Sequence, residues 1–288
     1  MIYLIISILI SSLLFVIFKL FAVFKINTLQ AIVVNYIIAL LFGLYTSEAT
    51  LRITEIPQQS WFVGAFILGI LFILIFNVMA ITAQKNGLSV ASVAGKMSVV
   101  IPIVLGVFLY NESIGFIKIA GVVLALVAVY LASAKKSDTT SVSLKNLQYP
   151  ILLFLGSGCI DAGLKYMEVT YVSEINTPIF IATIFGIAFI FGCFFMITQL
   201  YKGTLKLKWK NIIGGIALGI PNYYSIEFLL KALKTEGLES STLFTINNVS
   251  VVILTTVFAL VFFKEKLIKK NWIGIGLAVI SILLVATA

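Results

Sequence analysis

Residues Gly87–Glu112 read GLSVASVAGKMSVVIPIVLGVFLYNE, and this stretch decides how the rest of the chain is read. It is long and apolar enough to cross a bilayer, which needs about 20 mostly apolar residues. Yet it carries Lys96 well inside. A lysine at the centre of a membrane helix costs roughly 2.5–3.5 kcal/mol on insertion scales, so such a residue is by default a functional candidate. A second copy of the stretch begins 150 residues later, at Gly237, and lacks the lysine.

The whole chain shares this character. Its 288 residues are 61% hydrophobic and only 11% charged, and the mean hydropathy is +1.16. Soluble domains are about a quarter charged, so the composition indicates an all-α, multi-pass integral membrane protein of the cell membrane. An outer-membrane barrel would show alternating segments of about ten residues, and these are not seen. Met1–Phe18 lacks a basic leader and a small-residue cleavage site, and is expected to be a retained span. The formal charge of +9 comes from lysines placed at span ends, which suits orientation in a bilayer and gives no reason to expect nucleic acid.

Ten segments satisfy the length requirement, near 1–18, 28–46, 61–83, 88–110, 116–134, 149–167, 176–200, 211–233, 240–263 and 271–288. A polar stretch, Lys135–Leu147 (KKSDTTSVSLKNL), sits near the middle. It divides the chain into a first five-helix repeat (1–137), a linker (138–147) and a second repeat (148–288). Gly64, Gly69 and Gly87 match Gly214, Gly219 and Gly237 at an offset of 150, and Ile26-Asn27-Thr28 matches Ile175-Asn176-Thr177 at 149. Glu112 and Glu265 each precede a glycine, Gly121 and Gly274, by nine residues. An odd number of spans per half inverts the second half relative to the first. Inverted repeats of this kind build secondary transporters, with substrate held near the midplane at the repeat interface.

The ten spans in two halves resemble the drug/metabolite transporter (DMT) superfamily, specifically its EamA-type branch. The resemblance rests on Gly87–Ser92, Pro102, Glu112 and Gly121, with Gly237–Thr242, Glu265 and Gly274 as second-half echoes. It implies a transporter fold and an exporter or importer of small polar or amphipathic solutes, of which export is the direction taken here. It also implies cytoplasmic termini, whereas the charge distribution points the other way. Connections after odd-numbered spans carry fourteen lysines and those after even-numbered spans five basic residues, which places both termini outside by the positive-inside rule.

Few residues are placed to do chemistry. Ser89, Ser92 and Lys96 share one helical face at i−7, i−4 and i, so the ammonium is expected either to pair with an anionic substrate group or to sit in a fixed ion pair. Asn247 and Asn248, two adjacent amides in the ninth span, align close to Lys96 in the repeat. They serve as substrate donors and acceptors or as ties between helices. Glu227 lies at the repeat position of Asn77, a turn beyond Tyr223 and Tyr224 and after the mid-span Pro221. It is read as a proton-coupling carboxylate, or as an ordinary i,i+4 partner of Lys231. Asp161 has Lys165 four residues on, and the local pair is the plainer reading of it; facing inward, it would partner Lys96 and carry the coupling proton. Lys19 is expected to snorkel to the interface. Trp61, Trp209 and Trp272 are expected to anchor span ends, and Glu112 and Glu265 to cap or orient helix ends.

The absences narrow the function. With no histidine in the chain, the commonest general base and the commonest metal ligand are missing. Cys159 and Cys193 lack metal or redox spacing and read as packing thiols. There is no GxxxxGK[ST] phosphate loop, and no cofactor or metal is expected. A carrier fits best, with a small-molecule substrate, the lipid bilayer and coupled protons as its partners. A passive channel or structural membrane subunit is the alternative, and a membrane-embedded enzyme a more distant one. Oligomeric state and substrate identity are left open by these residues.

Overall fold

The computed structural model describes residues 2–47, 53–102, 105, 115–134, 144–203, 206–233 and 240–287. The fold is all-helical. Its helices are α1 (Ile2–Val23), α2 (Thr28–Thr46), α3 (Phe62–Lys85), α4 (Leu88–Met97), α5 (Phe116–Ala132), α6 (Leu144–Thr170), α7 (Thr177–Tyr201), α8 (Trp209–Leu233), α9 (Ser240–Val261) and α10 (Lys269–Thr287). Helices α1, α2, α3, α6 (through Asn146–Met167) and α7 are long and apolar enough to cross a membrane. Glu112 and Gly237, which carry part of the expected repeat, lie outside the described residues, as does most of the polar stretch before α6.

Three expectations change. The stretch from Gly87 is not one continuous helix: α4 ends at Met97 and a turn follows at Ser98 and Val99. Pro102 has no N–H to return to the Ser98 carbonyl and its ring crowds that group. Instead Ile101 N–H closes a tighter bond onto Ser98 at 2.9 Å. The sixth helix starts at Leu144, so its first turns absorb the end of the expected linker. Trp61 is buried and meets Phe180 edge to face at 5.6 Å, so it packs in the interior. Trp209 and Trp272 are exposed at helix starts, as interfacial tryptophans are.

The chain forms two compact units. Unit 1 contains Met1–Leu20, Val78–Cys159 and Tyr224–Ala288; unit 2 contains Phe21–Asn77 and Ile160–Tyr223. In unit 1, α10 packs along α5, and α9 packs against α4 and α10. The α5–α10 seam is close: a Cβ on Gly274 would stand 2.5 Å from the Ala132 amide nitrogen, so only glycine fits. At the other end Ser281 Oγ donates to the Gly121 carbonyl at 2.7 Å. Asn271 closes the seam by donating to the Ala132 and Ala134 carbonyls at 2.8 and 2.9 Å, which α5 would otherwise leave open at its C-terminus. Contacts that pair Gly121 with Ser281 and Ala132 with Gly274 make α5 and α10 antiparallel.

Unit 2 is built on α2 and α7. Gly43 abuts Ala182, Gly186 abuts Leu40 and Gly192 abuts Val33, so these two helices are also antiparallel. On α3, Gly69 faces the Ile184 carbonyl and Ile187; on α8, Gly219 faces the Asn35 carbonyl and Ile38. Both copies of the Ile-Asn-Thr motif start a helix. Asn27 caps α2, accepting from Gln30 N–H at 3.0 Å, and Asn176 precedes α7.

Candidate functional site

The entrance to α4 shows how unit 1 holds its polar residues. The Thr82 carbonyl accepts both Asn86 N–H and Gly87 N–H at the end of α3. Gly87 then turns the chain at φ 116°, a conformation that favours glycine. Glu265 reaches this turn from the α9–α10 connection. Its Oε1 accepts Leu88 N–H at 2.9 Å and lies 3.0 Å from Lys19 Nζ. A carboxylate here satisfies one of the open amides of α4 and complements the positive end of its dipole. Glu265 therefore caps a helix, as its position suggested, while Lys19 is bound into an ion pair instead of snorkelling free.

Beyond the entrance the unit's interior is polar in an unusual way. Ser89 and Ser92 of α4, Asn247 and Asn248 of α9, and Ser12 of α1 are all buried, and α4 packs on α9. Ser92 Oγ is spent on the Ser89 carbonyl at 3.0 Å. Among the described residues Ser12 Oγ, Ser89 Oγ and Asn247 Oδ1 have no hydrogen-bond partner. An unsatisfied buried polar group costs about 1–3 kcal/mol, so this helical interior carries an unmet demand for donors and acceptors. Lys96 stands half-buried in the last turn of α4, one residue from Gly95, where a Cβ would meet the Phe15 ring of α1 at 3.6 Å.

Glu227 occupies another part of unit 1. Its Oε1 pairs with Lys231 Nζ at 2.6 Å, the i,i+4 arrangement considered from the sequence, yet its Oε2 is buried without a partner. Aromatic rings line the same end. Tyr224 stacks on Phe228 at 5.7 Å, and Tyr3 of α1 stacks on Phe228 at 6.1 Å. Ser7 Oγ of α1 donates to the Ser225 carbonyl at 3.2 Å. Leu4, Ile8, Ala232 and Ile246 form one apolar cluster, so α1, α8 and α9 converge within a few turns of Glu227 and Asn247.

The remaining candidates belong to unit 2. Asn77 Nδ2 donates to the Ile73 carbonyl of its own helix at 2.7 Å. The Tyr223 hydroxyl hydrogen-bonds with Thr46 Oγ1 and its ring packs on Phe42. Asp161 is exposed on α6, as is Lys165. Cys193 of unit 2 and Cys159, at the edge of unit 1, are free thiols, and Cys159 is exposed where a packing thiol was expected. Sequence reasoning passed over the amide pairs here. Asn222 donates to Asn35 at 3.1 Å in the buried α2–α8 contact, and Asn211 donates to Gln30 while accepting from the Asn27 amide at 2.9 Å. Their signal was present, since a lone amide in an apolar span needs a partner, but their partners lie more than 180 residues away.

Among the described residues no group of three or more Cys, Asp or Glu side chains could hold a metal.

Comparison with known proteins agrees with the architecture. The chain matches the EamA-like transporter family over residues 1–134 and again over 149–287. It is 29% identical over 251 residues to an uncharacterised protein of Haemophilus influenzae, covering 85% of this chain and 84% of that one. A crystal structure of a protein with 13% sequence identity superimposes with a TM-score of 0.59 and covers 97% of each chain, a likeness of fold.

Proposed function

We propose that this chain, which belongs to the EamA-like transporter family of the DMT superfamily, is a secondary carrier that moves a small polar or amphipathic metabolite by alternating access, most readily as an exporter. The observation that carries this reading is the set of buried, unpartnered polar atoms in unit 1, Ser12 Oγ, Ser89 Oγ and Asn247 Oδ1. A purely structural helical unit would satisfy such atoms or replace them with apolar ones. A solute with its own donors and acceptors recovers their cost on binding and releases it on leaving.

In this reading Lys96, Ser89, Ser92, Asn247, Asn248 and Tyr224 of unit 1 contact substrate, and Asn77 and Tyr223 are separate substrate-binding candidates within unit 2. Glu227 couples transport to protons through its unpartnered oxygen, and Asp161 is the second candidate for that role. Two features favour an inverted duplication, a design on which alternating access is commonly built. The contact of Gly69 with Ile184 and Ile187 has its counterpart in that of Gly219 with Asn35 and Ile38; the offsets are 150 for the glycines (219 − 69) and 149 for their partners (184 − 35 and 187 − 38). Equivalent helices of the two halves, α2 with α7 and α5 with α10, also run antiparallel.

Counterflow in proteoliposomes tests the function. A carrier preloaded with its solute accelerates uptake of labelled solute and saturates, whereas a channel shows neither. Solutes are first chosen by thermal shift on the purified protein, because a ligand that binds the folded state stabilises it. The Glu227→Gln variant is expected to keep exchange while losing the pH dependence of net transport. Unaltered pH dependence would remove Glu227 from the coupling role, and absence of counterflow with every stabilising solute would remove the carrier reading.

A further inference from the structure

Unit 2 gathers positive charge where the α1–α2 turn meets the α7–α8 connection. Lys25, Lys202, Lys206, Lys208 and Lys210 are all exposed. Two contacts hold these segments together: Lys210 Nζ donates to the Phe24 carbonyl at 3.0 Å, and Asn27 N–H donates to Asn211 Oδ1 at 2.9 Å. Lys25 and Gly203 both take positive φ, 51° and 67°, which fixes tight turns beside the lysines. The contributing stretches, 21–47 and 175–223, contain no aspartate or glutamate, so the charge has no acidic counterpart within them.

Apolar side chains flank the lysines in a regular way. From 206 to 210 the sequence is Lys-Leu-Lys-Trp-Lys, and residues 206–208 lie outside any helix. The lysines thus alternate along the sequence with Leu207 and Trp209, and α8 begins at Trp209. Leu207 is 61% exposed, Trp209 80% and Tyr201 92%. Exposed tryptophan and tyrosine belong at the level of lipid headgroups, with lysines reaching into the headgroup layer. A soluble polyanion would match the charge but would leave these rings in water.

We propose that this surface binds the phosphodiester headgroups of anionic phospholipid. Lys202, Lys206 and Lys208 contact phosphate oxygens, and Tyr201, Leu207 and Trp209 enter the acyl boundary. The bond of Lys210 to Phe24 keeps the two basic segments in register. A cluster of four to eight lysines beside a span is the arrangement that attracts anionic lipid, each lysine strengthening binding about fivefold. This surface is built from unit 2 residues alone and does not depend on transport.

The test uses the full-length protein in neutral detergent, titrated with phosphatidylglycerol or phosphatidylcholine, and reads the unfolding temperature and lipid adducts in native mass spectrometry. Phosphatidylglycerol is expected to raise the unfolding temperature by several degrees and phosphatidylcholine to leave it unchanged. Combining Lys202→Gln, Lys206→Gln and Lys208→Gln, which spares the Lys210 contact, is expected to weaken phosphatidylglycerol binding on the order of a hundredfold. A matched variant in unit 1 (Lys264→Gln, Lys266→Gln and Lys269→Gln) removes the same charge from lysines that flank Glu265, an acid the unit 2 stretches lack, and is expected to lose less binding than the first. Equal loss in both variants would reduce the effect to net charge and overturn the proposal. So would retention in the first, or an equal shift with inorganic phosphate alone.

Discussion

Replacing Lys96 with alanine is expected to abolish transport while leaving the amount of folded protein in the membrane near its normal level. The magnitudes separate the two outcomes. As a last-turn lysine, Lys96 interacts favourably with the α4 C-terminus by about 0.3–1 kcal/mol, and its insertion into a bilayer costs roughly 2.5–3.5 kcal/mol. Its removal should therefore change stability little. Truncating one partner of a buried charge pair with a substrate costs about 2–5 kcal/mol, or some thirtyfold upward in affinity. The measurement is counterflow beside quantified membrane protein. Lys96→Arg, which keeps the charge, is expected to restore part of the activity. Full transport by the alanine variant would sink the assignment, and loss of folded protein would identify Lys96 as half of a structural pair.

Glu265→Ala is expected to produce the largest loss of stability from a single side chain. It removes the acceptor of Leu88 N–H and leaves Lys19, whose side chain is only 19% exposed, without its counterion. Loss of a helix cap costs about 1 kcal/mol, and breaking a buried ion pair roughly 3–5 kcal/mol. Partial exposure places the sum near 3 kcal/mol, which lowers Tm by about 6–12 °C in a protein of this size. Glu265→Gln separates the contributions, since the amide oxygen still accepts from Leu88. Adding Lys19→Met to Glu265→Ala should recover part of the loss, because the uncompensated ammonium is gone. An unchanged Tm in Glu265→Ala would show that water already satisfies both groups.

Much of this architecture was legible in the residues because lipid leaves the backbone few options. Helices had to lie between the polar breaks. The EamA-type resemblance followed from Gly87–Ser92, Gly121 and Gly274. Long-range pairings were hidden. Nothing local to Glu265 points to Lys19, nearly the whole chain away, and nothing local to Asn271 points to the end of α5. Trp61 was misjudged because a tryptophan beginning a span is usually interfacial, and only the position of Phe180 reveals that this one is interior. The break after Met97 was available from Pro102, but the apolar run concealed it.

The seam between α5 and α10 also sets an order of events during synthesis. Asn271 closes the end of α5 across 139 residues of sequence, and Gly274 admits the α5 backbone where no other residue would. At about 5–20 residues per second, α5 must wait on the order of ten seconds in the bilayer before its partner is made. Throughout that interval the end of the first half stands without its final neighbour, exposed to lipid, to quality-control proteases and to the wrong helices.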